Sequence, residues 1–107
     1  MKEYNKLVRD RIPEIIEAAG EKPVVRVLGD EEYREQLLKK LEEEAREAWE
    51  ARGDKKDLEK EVGDILEVIE AVVRAFDLDE GEIKKIKEER RKSRGGFEKK
   101  LFLERTE

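Results

Sequence analysis

At 107 residues, the chain has room for one domain with one modest core. It is 51% charged and 36% hydrophobic with a formal net charge of −5, so it lacks the basic excess that a nucleic-acid surface needs. Cys and His are both absent, which excludes disulfides, zinc sites of the usual kind, cysteine nucleophiles and histidine triads, and leaves any chemistry to carboxylates and cations.

The longest apolar run is only a few residues, so neither a membrane span nor a signal peptide is expected, and a soluble cytoplasmic protein is. Abundant Glu, Lys and Arg without Cys fit a thermophilic, thermostable or engineered sequence. The apolar residues recur at helical spacing, so the charge reads as the surface of a folded helical chain.

In chain order, the first eleven residues are polar, with Tyr4, Leu7 and Val8 as anchors. Ile12-Pro13 opens a short helix with Ile12, Ile15, Ile16 and Ala19 on its apolar face, and Gly20 ends it. Residues 23–28 are short and β-branched and predict a strand, with Asp30 as the N-cap of the next helix. That second helix spans about 31–52, with Tyr33, Leu37, Leu38, Leu41, Ala45, Ala48 and Trp49 as its stripe.

Gly53 breaks the second helix and Asp54 caps a third over about 55–76. Leu58, Val62, Ile65, Leu66, Ile69, Val72, Val73 and Phe76 form its core face, and Val68 widens it. After Asp77-Leu78-Asp79, a turn and cap, a fourth helix covers about 80–92, with Ile83 and Ile86 as its only large apolar residues. Gly95-Gly96 stops it, and residues 97–103 predict a second strand paired with the first. The expected fold is therefore one mainly α domain over 1–107: a four-helix bundle with a small two-stranded β element.

Two acidic pairs stand out, Glu44 with Glu47 and Glu61 with Asp64, each at spacing i, i+3. Such pairs lie about one turn apart on a helix. Acid-rich helices are usually solvated faces, but these pairs flank the apolar stripes of two consecutive antiparallel helices. Glu61 falls inside an apolar arc, where a carboxylate is costly unless paired or liganded. Four carboxylates in one space need a compensating cation, and oxygen-only ligation suits Mg²⁺, with Mn²⁺ as a substitute. The basic run Arg90 to Arg94 has a simpler explanation, compensation of the helix dipole.

These residues also carry a family resemblance. Glu44-Ala45-Arg46-Glu47 and Glu61-Val62-Gly63-Asp64 resemble the ExxE and ExxD motifs of the MazG-like, phosphoribosyl-ATP pyrophosphohydrolase-like all-α NTP pyrophosphohydrolases. The opening Tyr4-Asn5-Lys6-Leu7-Val8-Arg9-Asp10-Arg11-Ile12-Pro13, and Arg94-Gly95-Gly96-Phe97, are similar to a small stand-alone house-cleaning subfamily.

The resemblance implies Mg²⁺-dependent hydrolysis of a nucleoside triphosphate to the monophosphate and pyrophosphate, in a homodimer or dimer of dimers. It implies metal ligation by Glu44, Glu47, Glu61 and Asp64, and phosphate contacts from Lys6, Arg9, Arg91 and Arg94. In a metal-assisted hydrolysis, one of Glu43, Glu44 or Glu47 would take a proton from the attacking water. The rival expectation is a non-catalytic helical oligomerisation module whose acids are solubilising charge.

Overall fold

A computed structural model describes all 107 residues. It contains four α-helices, α1 Ile12–Ala18, α2 Asp30–Glu50, α3 Lys55–Ala75 and α4 Glu80–Arg94, and no strand. The chain divides into two compact units, Met1–Asp77 and Leu78–Glu107. No helix is long and apolar enough to cross a membrane.

In the first unit, α1 carries Pro near its N-terminus, where the missing N–H is no loss. Its C-cap is Ala19, and Gly20 follows with φ 87°, a conformation that L side chains rarely adopt. The N-cap of α2 is Gly29, and Asp30 is the first helical residue. The expected Asp30 cap is thus displaced by one position. Asp30, Glu31 and Glu32 instead place negative charge in the first turn, where the helix dipole favours it. Asp54 caps α3 as expected, accepting a hydrogen bond from the Asp57 backbone N–H at 3.1 Å.

Helices α2 and α3 form an antiparallel hairpin about the short turn at Gly53. Their axial match is fixed at the open end, where Arg34 Nε donates to the Ala75 carbonyl at 3.1 Å. This bond also satisfies one of the carbonyls left free at the end of α3. Leu37 of α2 and Val68 of α3 are the buried apolar residues of the hairpin.

The apolar arc of α3 is wider than one partner helix covers. Residues 61, 65, 68 and 72 form the shielded stripe. Val62, Leu66, Ile69 and Phe76, spaced four, three and seven apart, remain exposed, as do Leu38 and Trp49 on α2. The sequence-based assignment of all these residues to one core face therefore does not hold within a single chain.

The expected β element is absent. Residues 23–28 take no regular structure and have no strand partner. Arg26 of that segment instead forms a forked ion pair with Glu32 at the start of α2, at 2.9 and 2.6 Å. β-Branched composition alone does not make a strand, because an extended segment needs a neighbour for its backbone groups.

In the second unit, Asp79 caps α4 through the Glu82 backbone N–H at 2.9 Å, and Arg91, Lys92 and Arg94 close its last turn. Gly95 then turns the chain with φ 85°. Residues 97–103 form no strand either. A turn bond from the Lys100 N–H to the Phe97 carbonyl, with Lys100 at φ 60°, breaks the alternation a strand requires.

Candidate metal centre

The hairpin sets the position of each acid. Glu44 lies on the α2 face turned toward α3 and is only 5% exposed. Glu61 and Asp64 lie one turn apart on α3, both partly shielded. One carboxylate oxygen from each of Glu44, Glu61 and Asp64 lies within 4.8 Å of the other two. Ligand atoms bound to one ion occupy that range, since two oxygens at about 2.1 Å from Mg²⁺ are at most about 4.2 Å apart.

The site is short of positive charge. Glu44 Oε2 and Glu61 Oε2 are buried with no hydrogen-bond partner, an arrangement that costs free energy unless something occupies it. Burial, then hydrogen bonding and charge from Glu47, push the Glu44 carboxyl up to about 7 from 4.5, against the pull of Lys40. Glu61 is raised too, by loss of water first, then by Glu47 and by the Asp64 charge. Glu47 thus neighbours both, although its own oxygens fall outside the tight three-residue group.

Three cations stand around these acids. Lys40 Nζ lies 3.4 Å from Glu43 Oε2 and 3.7 Å from Glu44 Oε1. Lys6 Nζ lies 3.5 Å from Glu43 Oε1. Arg9 Nη2 donates to Asp64 Oδ1 at 2.8 Å. Five carboxylates (Glu43, Glu44, Glu47, Glu61, Asp64) therefore face three cations (Lys6, Arg9, Lys40), a deficit of two positive charges. Two protons or one divalent cation closes that gap.

The structure brings Glu44, Glu61 and Asp64 together, with Glu47 beside them and Glu43 on the rim. It brings Lys6 and Arg9 to the same acids. Arg91 and Arg94 belong to the second unit, where Arg91 pairs with Glu98 at 2.8 Å. Sequence reasoning missed Lys40. The signal was available: on a helix, a Lys three residues before Glu43 and four before Glu44 sits beside both.

No family model matches the chain, and no solved structure matches it. Over 41 residues the chain is 58% identical to an uncharacterized protein of Mycolicibacterium smegmatis (strain ATCC 700084 / mc(2)155). That match covers 38% of this chain and 42% of the relative, so the chain spans less than half the relative's length.

Proposed function

We propose that the chain is a Mg²⁺-dependent nucleoside triphosphate pyrophosphohydrolase, similar to the MazG-like enzymes, that releases a nucleoside monophosphate and pyrophosphate. The observation that carries this reading is the pair of buried, unpartnered oxygens on Glu44 and Glu61, with Asp64 alongside. A deficit of two charges and an all-oxygen donor set suit one hard divalent ion, with Glu44, Glu61 and Asp64 as its holders and Glu47 next to them. When bound, such an ion polarises phosphate oxygens and offsets the charge that gathers on a leaving pyrophosphate.

The chain's own residues do the rest. Water adds across the α–β anhydride, and its proton passes to a carboxylate. Glu44 is a candidate for that step only through an oxygen not committed to the ion. Glu47 and the more exposed Glu43 are the other candidates for that step. Lys6 and Arg9 stand beside the same acids and are the proposed phosphate contacts of the first unit. For Arg91 and Arg94 the assignment rests on the resemblance alone.

Self-association belongs to the same proposal. The exposed stripe Val62, Leu66, Ile69 and Phe76 is an apolar seam that a second copy would cover. An oligomerisation module without catalysis would have the same seam, so the two readings part at the chemistry. A panel of standard and damaged nucleoside triphosphates, assayed for pyrophosphate with Mg²⁺ and Mn²⁺, tests the proposal. Release from at least one nucleotide, abolished by chelation, is expected. No release from any of them would leave the module reading.

A further inference from the structure

The N-terminal segment reaches the acidic centre across a long stretch of sequence. Arg9 and Asp64 are 55 residues apart, and Lys6 and Glu43 are 37 apart. Residues 1–9 carry no helix or strand of their own. The Arg9 backbone is nevertheless held at the start of α1, where its carbonyl accepts from the Ile12 N–H at 3.1 Å. Its guanidinium spends itself on one carboxylate, Asp64, at 2.8 Å. That carboxylate is one of the three converging acids, and at 32% side-chain exposure it is more open to solvent than Glu44 at 7%. The Arg9 side chain is 58% exposed, so it can leave without opening the core.

We infer that Arg9 is an internal counter-cation of this centre, a positioning residue that a divalent ion displaces from Asp64 and that then turns to the anionic ligand the ion brings in. The inference rests on reading Glu44, Glu61 and Asp64 as a metal site. Its physical basis is simple. A monovalent and a divalent cation held by one carboxylate repel each other, and the flexible, exposed partner yields. The freed guanidinium has five donors and a geometry that matches a phosphate group. Arg9 therefore opposes the metal when it is alone and favours it when a triphosphate comes with it. Lys6, at 3.5 Å from Glu43, acts in the same sense and more weakly, because Glu43 stands outside the three-residue group.

The test uses the full chain and no turnover. Mn²⁺ alone is titrated by calorimetry into wild type, Arg9→Gln and Arg9→Lys. Inorganic triphosphate, premixed with Mn²⁺, is titrated in a second series. Arg9→Gln is expected to bind free Mn²⁺ roughly three- to tenfold more tightly than wild type, with the difference shrinking at high salt. The same variant should bind the Mn²⁺–triphosphate complex more weakly, roughly tenfold. Arg9→Lys, which keeps the charge, should stay within roughly twofold of wild type for free Mn²⁺ and recover only part of the triphosphate affinity. A residue that merely braces the fold would weaken both when removed. Equal or weaker binding of free Mn²⁺ by Arg9→Gln overturns the inference while leaving the metal site intact. If wild type binds no Mn²⁺ at all, the metal reading fails and the inference fails with it.

Discussion

Residues 30–75 and residues 78–107 draw on the same charged vocabulary and use it differently. In the second region the charges at the two ends of α4 have local structural reasons. Asp79 caps α4, and Arg91, Lys92 and Arg94 sit in its last turn, where cations are favoured. Glu98 is held below the usual carboxylate range by Arg91, and both are exposed. In the hairpin, Glu44 is buried, Glu61 is partly so, and each keeps an oxygen with no partner while its proton affinity rises. Fold stability accounts for the first pattern and opposes the second. The contrast teaches that composition does not reveal function in a chain this acidic. A charge kept where it costs free energy is what marks a candidate site.

The largest effects should follow from breaking that contrast at its costly side. Glu44→Gln and Asp64→Asn should each lower Mg²⁺-dependent pyrophosphate release by at least about 100-fold, the loss of several kcal/mol of charge stabilisation. Arg91→Gln disrupts an exposed pair in the other region and should leave the melting temperature of the fold almost unchanged. Pyrophosphate assays and thermal melts of the three variants check both sides together. Equal activity losses would not bear on Arg91's fold role, but a large melting shift for Arg91→Gln would contradict the local account of α4.

The apolar seam gives the next largest effect. Leu66 is 56% exposed on α3, in a row with Val62, Ile69 and Phe76. Leu66→Asp should leave the helical content unchanged and shift the species seen by light scattering from an oligomer to a monomer at micromolar concentration. A wild-type chain that is already monomeric at that concentration would contradict the expected assembly.

The acids should also write themselves into the pH dependence of the metal-free fold. Glu44 binds its proton more tightly in the folded chain, at about 7, than at its ordinary value of 4.5. Its contribution to stability is therefore fully present below about 4.5 and is lost as pH rises through about 7. Glu61 acts with the same sign. Chemical denaturation in chelator from pH 4.5 to 8 should show stability falling over that window, and Glu44→Gln should flatten the fall. A rise across the window would mean that these acids are stabilised as anions.

The smallest expected effect concerns Gly63, which stands mid-helix between Glu61 and Asp64. A Cβ there meets nothing within 4 Å, so the structure gives no steric reason for glycine. Gly63→Ala should stabilise the metal-free chain by about 0.5–1 kcal/mol through helix propensity alone. Denaturant melts would show it, and a loss of stability would mean that the position is crowded.

The sequence was most informative where physics is local. Helix spacing marked all four helices, and Asp54 and Asp79 were legible as caps because a capping side chain acts on a backbone N–H three residues away. Spacing also singled out Glu44, Glu47, Glu61 and Asp64 from a crowd of similar acids. It failed where the outcome depends on a distant partner. Residues 23–28 and 97–103 have strand-like composition, yet each lacks a neighbour and is held by side-chain or turn contacts of its own. The wide apolar arc of α3 did not disclose which half faces α2. The Arg9–Asp64 contact joins residues 55 positions apart, and no periodicity encodes it.

Glu44, Glu61 and Asp64 are proposed to hold a divalent cation between α2 and α3. Calorimetric melting of the nucleotide-free chain at pH 8, titrated with Mg²⁺ and then Mn²⁺, tests this most directly when wild type is set beside Glu61→Gln. An ion that binds only the folded chain raises the melting temperature, and the rise grows with the logarithm of ion concentration above the dissociation constant. Wild type should therefore melt progressively higher as the ion is added. Glu61→Gln, nearly isosteric and uncharged, should fold with the same helical content and show no such rise. A wild-type melting temperature indifferent to both ions, or an undiminished rise in Glu61→Gln, would contradict the metal centre.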